Sequence, residues 1–423
     1  MLSFLYNVAL LLLALISLPK ILWQWITLGK YRESLAERLG FALPKFQGKS
    51  AIWIHAVSMG ETRAVIPLFQ KLRNAFPDRP IVISSTTETG HAEAKRSMPE
   101  AAAHFFLPLD FSWTIRRLMQ RIDPAALILC ESDFWYHLLT LAKKRGAATI
   151  LVNGKISERS CLRFQKLPFF SRRLFGAIDA LYLQSQRYYE RFASLNIATE
   201  KLHVTGNLKL DAAPKPMSSV EKEELCKSLR ITPQDKVIVI GSTHAPEEEW
   251  LLSALDILWK KHPALKVLLV PRHPERFDEV AQKLQARGIS FARYSEGSQP
   301  AQLILIDVMG LLNQCYQLAT VAIVGGSFVS HVGGHNIFEP VLFGVPVLFG
   351  PHMHSQLDFV DLILPAQAGI QTTIEELAEK LARLLENPGY YQQMQQQCLA
   401  LARSVPGAAE RTFAQIRYKI TLK

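Results

Sequence analysis

Short runs of consecutive apolar, mostly β-branched residues recur along the chain, each followed by a longer stretch whose apolar positions return every three or four residues. The runs "AIWIHA" (51–56), "IVISS" (81–85), "AALILC" (125–130), "ATILVN" (148–153) and "ALYLQ" (180–184) predict strands. The segment after the first predicts an amphipathic helix with Val65, Leu68, Phe69, Leu72 and Phe76 on one face. Strands without an inward–outward alternation, alternating with helices, predict a parallel sheet covered on both faces. The stretch "TGNLKLDAAPKPMSSVEKEEL" (205–225) breaks this rhythm with prolines, serines and charge, and predicts a linker. The alternation then resumes with "KVIVIGS" (236–242), "KVLLVPRH" (266–273), "QLILID" (302–307), "VAIVGGS" (321–327) and "VPVLFGP" (345–351), and the chain from Thr373 onward predicts helix.

The expected architecture is therefore α/β, with two doubly wound, Rossmann-like domains facing a cleft at their strand C-terminal ends. The expected boundaries are an N-terminal segment over 1–28, a first domain over 29–212, a linker over 213–219, and a second domain over 220–423 that includes the C-terminal helices. Residues 2–18 are almost wholly apolar and lack the basic start and small-residue cleavage site of a signal peptide. Extended by Ile21–Ile26, the run approaches the ~20 residues that cross a bilayer. Trp23 and Trp25 suit the interface, and Lys20, Lys30, Arg32 and Arg38 follow, which places the remainder on the cytoplasmic side. A membrane anchor is expected; a helix lying in the interface is the alternative, because Pro19 and Lys20 interrupt the run.

Charge sharpens this picture. Residues 1–212 carry 28 basic and 16 acidic side chains, whereas 213–423 carry 20 and 21. A basic first half predicts an anionic partner or, more plainly, a solvated basic surface. No aromatic-interleaved basic run or nucleic-acid module is present, so nucleic acid is not the expected partner. The five cysteines are scattered without a C-x-x-C pair, which predicts a reducing compartment and no structural metal site.

The candidate chemistry lies in the loops after the strands. In "GGSFVSHVGGHNIFEP" (325–340), Gly333 and Gly334 would let backbone N–H groups approach an anion at the start of a helix running from about Asn336 to a C′ glycine at Gly344. Glu339, about one turn in, could accept ribose hydroxyls or merely complement the helix dipole, and Asn336 could be only an N-cap. In "VPRHPE", Pro271 and Pro274 stiffen the turn that aims Arg272 and His273, and a guanidinium so held suits a phosphate. Ser242 belongs to a third loop, "GSTHAPEEE". In the first half, Glu61 opens a helix in "VSMGETRAV", where Ser58-x-x-Glu61 also fits a capping box. Thr89, Glu131, Asp133, Lys155 and Arg159 stand at the ends of three further strands.

Taken together, "VSMGET", "VNGKISERS", "VTGNLKLD", "GSTHAPEEE", "VPRHPERF" and "GGSFVSHVGGHNIFEP" resemble, in order and spacing, the 3-deoxy-D-manno-oct-2-ulosonic acid (Kdo) transferases of Gram-negative bacteria. The resemblance implies a GT-B glycosyltransferase of the inner membrane with its catalytic domains in the cytoplasm. It implies transfer of Kdo from CMP-Kdo to a lipid A precursor (lipid IVA), with inversion and without a metal or other cofactor. Carried over by motif, Glu61 would be the general base, and the donor side would comprise Ser242, Pro271, Arg272, His273, Gly333, Gly334, Asn336 and Glu339. Thr89, Glu131, Asp133, Lys155 and Arg159 would face the acceptor. Lys155 stands where the family more often has Arg, Asp133 where it more often has Glu, and Pro340 where many members have a small residue. A UDP-sugar transferase or epimerase of the same fold, and a non-catalytic binder of acidic lipid, are the competing readings.

Overall fold

A computed structural model describes residues 1–28, 34–44, 46, 48–211, 216–297, 300–405 and 407–421. Lys30 and Arg32, and the first part of the expected linker, lie outside the described residues. The chain divides into two compact units, Met1–Ala212 with Gly407–Lys423, and Ala213–Pro406.

The first unit is built on a seven-stranded sheet of β1 (Ala51–His55), β2 (Ile81–Ser85), β3 (Ala103–Phe106), β4 (Pro124–Cys130), β5 (Ala148–Gly154), β6 (Ala180–Leu183) and β7 (Leu202–Val204). Their order is β3-β2-β1-β4-β5-β6-β7, and every pairing is parallel. Alternate residues of each strand feed opposite faces. Trp53, Leu127, Leu129 and Leu181 pack with Ile115, Leu118 and Leu138 from the helices Ser112–Ile122 and Tyr136–Lys144. Ile52, Ile54, Ile128 and Ile150 pack on the other face with Val65 and Leu68 of the helix Met59–Ala75. Burial on both faces is why these strands read as unbroken apolar runs.

The second unit repeats the plan with β8 (Val237–Thr243), β9 (Lys266–Pro271), β10 (Phe291–Arg293), β11 (Leu303–Leu305), β12 (Val321–Val324), β13 (Val347–Phe349) and β14 (Gly369–Gln371), in the order β10-β11-β9-β8-β12-β13-β14. All of its pairings are parallel as well. In each sheet the connections reverse direction once, between β1 and β4 and between β8 and β12. Such a reversal opens a crevice at the strand C-terminal ends, where sheets of this kind bind ligands.

Ten of the fourteen strands coincide with the predicted runs. The four that the pattern did not reveal are β3, β7, β10 and β14, which are the four sheet edges. Each has three or four residues and is only partly buried, so none carries the apolar signature of a strand covered on both faces. A second difference concerns the C-terminus. The helix Ala408–Thr421 was expected in the second domain but packs in the first unit. Its Ala408, Ala409, Ile416 and Ile420 join the core that holds Ile52 and Ile128. Thr412 hydrogen-bonds Thr205 through their hydroxyls at 2.9 Å, and Arg79 donates to the Ile420 carbonyl at 2.8 Å.

Asp211 fixes where this helix starts, because its carboxylate accepts the backbone N–H groups of Gly407 and Ala409. Asp211→Ala should therefore cost ~0.5–2 kcal/mol, the range for loss of an N-terminal cap, and should speed amide exchange across residues 408–421 with little change in the second unit. Hydrogen-exchange mass spectrometry checks both the size and the location of the effect.

Candidate functional site

At the C-terminal edge of the first sheet a buried carboxylate organises the loops. Glu131 follows β4 in a left-handed conformation (φ 64°) and is 4% exposed. Its oxygens meet the ammonium of Lys155 at 2.5 Å and that of Lys209 at 2.7 Å, and Asn153 donates a hydrogen bond at 3.3 Å. Asn153 in turn accepts the N–H of Leu208 at 2.9 Å, so the ends of β4 and β5 and the turn after β7 are tied together. Burial pushes the Glu131 carboxyl up, but Lys209 and Lys155 outweigh it and hold the group below its ordinary value. It is an ionised, saturated carboxylate.

Glu61, across the β1/β4 reversal, is in the opposite condition. Ser58 caps the helix Met59–Ala75 by accepting the Glu61 N–H. The Glu61 carboxylate does not return to the N–H of Ser58, as a capping box requires; it accepts the N–H of Val57 at 2.9 Å and the Ser58 hydroxyl at 3.2 Å. Thr87 pins the same loop by donating its hydroxyl to the Val57 carbonyl at 2.8 Å. The helix N-terminus alone would favour the ionised form. Desolvation and the nearby charge of Glu131 win instead, and push the Glu61 carboxyl up to about 7. A half-buried carboxylate with that pKa is matched to taking a proton near neutrality.

Asp133 is held by two donors, His55 Nε2 at 3.0 Å and Trp135 Nε1 at 2.8 Å. Fully buried His55 is fixed through Nδ1 by Ser84 at 2.8 Å, and Ser84 also accepts the indole N–H of Trp53 at 2.7 Å. A polar chain thus runs from the core of the sheet to Asp133, which is 27% exposed. Thr89 and Arg159 lie exposed in the first turns of the helices Glu88–Ser97 and Glu158–Lys166. Neither is drawn into the Glu131 cluster by a described hydrogen bond.

The second unit has its own central carboxylate, Glu247. Fully buried, it accepts N–H groups from His244 (2.9 Å), Gly326 (2.7 Å) and Phe328 (2.9 Å), and so binds the loop after β8 to the loop after β12. Beside it, Glu248 forms a two-point pair with Arg276 at 2.7 and 3.1 Å. Ser242, with φ 57°, is buried at the end of β8, and Pro271, buried, ends β9. Arg272 follows with its side chain exposed and its N–H bonded to Thr243. Its charge reaches both His335 and Glu339, so Arg272 and Glu339, two of the expected donor-side residues, share one site with His335.

Two local expectations are corrected. The helix after the glycine pair covers only Phe338–Val341, so Glu339 is its second residue rather than a full turn in. Asn336 precedes the helix's first flanking residue, and its side chain accepts the Phe338 N–H at 3.0 Å and donates to Glu339 at 3.3 Å. Gly333 and Gly334 have φ of 88° and 85°. A Cβ on Gly333 would meet His354 at 2.5 Å, and one on Gly334 the Met353 sulfur at 2.3 Å. The pair admits these neighbouring side chains, which is a tighter demand for glycine than an open anion cradle makes. Gly344 does close the turn as expected, with φ 74°. Burial and the neighbouring Asn336 and Arg272 act on Glu339 in opposite senses; burial wins and pushes the carboxyl up to about 7.

Pattern reading did not single out Lys209, His55 or Glu247 as site residues. Lys209 and Glu247 lie inside the motifs "VTGNLKLD" and "GSTHAPEEE", and His55 is the one titratable residue ending an otherwise apolar strand. Their partners come from distant segments, which no local motif records. Among the described residues no group of three or more His, Cys, Asp or Glu is placed to hold a metal ion.

A family-wide sequence profile for 3-Deoxy-D-manno-octulosonic-acid transferase (kdotransferase) matches residues 33–212. The 3-deoxy-D-manno-octulosonic acid transferase of Chlamydophila psittaci is 35% identical over 390 residues, covering 91% of this chain and 89% of that protein. This chain belongs to the Kdo transferase family. The transferase of Haemophilus influenzae is 34% identical over 368 residues, covering 84% and 83% of the two chains. A glycosyltransferase from Rickettsia africae has the same fold, with a TM-score of 0.62 at 14% identity, over 88% of this chain and 99% of that one. The two doubly wound units are thus those of a GT-B Kdo transferase, an enzyme of the glycosyltransferase class.

In this transferase the second-unit site includes a neutral histidine pair. The Nε2 atoms of His244 and His335 lie 2.8 Å apart with the rings stacked at 5.0 Å. Burial and neighbouring positive groups push each down to about 4, so one ring donates its N–H and the other accepts. Between about 4 and the ordinary value of 6.5, the unfolded chain binds protons that the folded one refuses. Stability is full above about 6.5 and falls as the pH drops through that window. His335→Gln, which removes one of the two groups, should flatten the decline of the thermal midpoint between pH 6.5 and 4, measured by differential scanning fluorimetry.

Proposed function

We propose that this Kdo transferase moves Kdo from CMP-Kdo to a lipid A precursor, lipid IVA, with inversion and without a metal, at the cytoplasmic face of the inner membrane. The single observation that carries the reading is the contrast between Glu61 and Glu131. Two carboxylates flank the reversal of the first sheet; one is saturated by lysines, and the other has its pKa raised to about 7 by burial and by the first. Pairs of titratable groups pushed apart in this way assign acid–base roles. Glu61 is the base: it takes the proton of the attacking sugar hydroxyl as that oxygen forms its bond to the anomeric carbon of Kdo. The bond from that carbon to the CMP phosphate breaks in the same displacement, which inverts the centre and releases CMP.

On the donor side, Arg272 binds the phosphate of CMP, since the four-residue helix after Asn336 is too short to do so through its dipole. Glu339, oriented by Asn336, receives the ribose hydroxyls, with Ser242, Pro271, His273 and the Gly333–Gly334 turn shaping the pocket. On the acceptor side, Lys155 meets the anionic part of the lipid, Asp133 orients sugar hydroxyls, and Thr89 and Arg159 border them. The basic first half and the apolar N-terminal helix, the one described helix long and apolar enough to cross a membrane, attach the enzyme to an anionic bilayer.

Glu61→Gln should preserve folding and CMP binding but lower turnover by about 10²–10⁴, the usual cost of losing a general base. In the unaltered enzyme kcat/KM should rise with pH through about 7, as Glu61 loses its proton, and the variant should lack that inflection. A well-folded Glu61→Gln enzyme with near-normal turnover would reduce Glu61 to a cap. Separately, Arg272→Ala and Glu339→Ala should each weaken CMP binding by ~1.5–3 kcal/mol, the worth of a hydrogen bond to a charged group. Calorimetry with CMP and UDP checks this, and equal or tighter binding of UDP would favour a UDP-sugar enzyme.

A further inference from the structure

We infer that the N-terminal helix does not cross the bilayer: it lies within one leaflet, with its first turns and the chain from Ser34 onward both held by the first unit, and the helices beside its start dock on an anionic phospholipid surface. This deepens the membrane attachment proposed above and rests on it.

The helix Leu2–Leu28 is apolar and exposed along most of its length, yet its first turns are fastened to the protein. Ser3 hydrogen-bonds His137 Nε2 at 2.8 Å, and Asn7 exchanges two bonds with Ser112, at 3.0 and 3.1 Å. The Tyr6 ring lies 5.2 Å from that of Tyr136 and stacks on Phe170 at 6.2 Å, while its hydroxyl bonds the buried carboxylate of Asp110. The chain beyond the helix is fastened to the same place. Ser34 is 1% exposed, the Arg38 carbonyl accepts the Leu109 N–H at 2.8 Å, and the Arg38 side chain donates to Thr86. The short stretch 109–112 therefore receives both Tyr6–Asn7 and Arg38.

Covalent geometry does the rest. From Asn7 to Leu28 the helix is ~30 Å long, at 1.5 Å per residue. From Leu28 to Ser34 there are six residue steps, which reach at most ~20 Å whatever course they take. The hydrocarbon core is ~30 Å thick. With Asn7 and Ser34 both at the first unit, Leu28 cannot stand on the far side of that core. The helix has to run obliquely or along the surface, which also lets Lys20 carry its ammonium to the interface.

The surface next to the fastened end has the composition of an interfacial seat. Trp113 is 53% exposed one residue after Ser112, and Leu167 and Phe169 are 58% and 60% exposed beside Phe170. Arg116, Arg172 and Arg173 are exposed on the same two helices, Ser112–Ile122 and Pro168–Gly176, with the Arg173 guanidinium over the Phe169 ring at 4.9 Å. Aromatic rings at headgroup depth with arginines around them suit anionic lipid. Ser112, Tyr136 and Phe170 all lie near the starts of their helices, at the strand C-terminal edge where Asp133 and Glu61 stand. A lipid acceptor in that leaflet therefore meets the candidate site without leaving the membrane.

The test needs no substrate, so it stands or falls separately from Kdo transfer. The full chain with Cys226→Ser, which removes the half-buried thiol, carries a cysteine-bearing tag ahead of Met1 in a Gram-negative host. A membrane-impermeant maleimide should label the tag in inverted inner-membrane vesicles and not in intact spheroplasts; labelling in spheroplasts would overturn the one-leaflet placement. In a second arm, a nitrobenzoxadiazole probe is attached through Phe169→Cys or, as a control on the other face of the sheet, Tyr418→Cys. On phosphatidylethanolamine–phosphatidylglycerol vesicles the Phe169→Cys probe should shift to the blue and be quenched by spin-labelled lipid, and the control probe should not. Equal behaviour of the two probes would remove the docking face.

Discussion

The carboxylate of Glu131, buried between two ammonium groups, is the constraint on which the first unit's functional edge depends. Taking a carboxylate out of water costs several kcal/mol, and the cost is offset only when its partners are close and well oriented. Lys155 and Lys209 meet that demand from two different connections, and Asn153 completes it. The requirement is mutual, because each cation depends on the same carboxylate. Three loops that could each vary alone are thereby fixed relative to one another. Burial raises the pKa of Glu61, and the negative charge of Glu131 raises it further. The ion cluster shapes the edge, and burial together with that cluster's carboxylate sets the protonation of the residue proposed as base.

The second unit solves the same problem with a different chemistry. Among the described residues no cation pairs with Glu247; three backbone N–H groups hold it, and they come from both sides of the β8/β12 reversal. Burial therefore keeps its pKa raised despite those bonds. Gly325 makes this packing possible, since a Cβ there would meet the Ser242 carbonyl and the Thr243 Cα at 2.8 Å and the Glu247 carboxylate at 2.9 Å. The neutral His244–His335 pair then joins the same two loops nearer the surface. Arg272 is left exposed, and its charge acts on His335 and Glu339. An exposed guanidinium there is the reason Arg272 is proposed as the group that meets the CMP phosphate.

Both units place their chemistry where the sheet connections reverse, so the position of each site is a property of topology. What differs is the layer beneath. In the first unit a polar chain from Trp53 through Ser84 and His55 supports Asp133 from within the core. In the second, the buried Glu247 carboxylate joins the two loops through their backbone N–H groups, and a glycine beside it makes room for that packing. An acceptor site must orient hydroxyls and move a proton, whereas a nucleotide site must chiefly match a shape and one phosphate. On the proposed assignment of acceptor to the first unit and nucleotide to the second, the two kinds of support suit those two tasks.

From the sequence alone, the apolar period determined two doubly wound units and ten of their strands, because residues buried on both faces leave a continuous mark. The family was legible too, since all but one of its motifs occupy the turns that follow those strands. The edge strands were not, because a half-exposed run of three or four residues has no period to detect. The placement of the C-terminal helix in the first unit was not legible, because it rests on packing with Ile52 and Ile128 and on bonds to Asp211, Thr205 and Arg79, all far away in the chain. Likewise, Ser58-x-x-Glu61 spells a capping box, but whether Glu61 returns to Ser58 or turns to Val57 depends on loops from elsewhere in the chain. Ionisation was the least legible property of all. Glu61 and Glu131 are the same residue type at equivalent strand ends, and tertiary structure alone decided that lysines reach one and not the other.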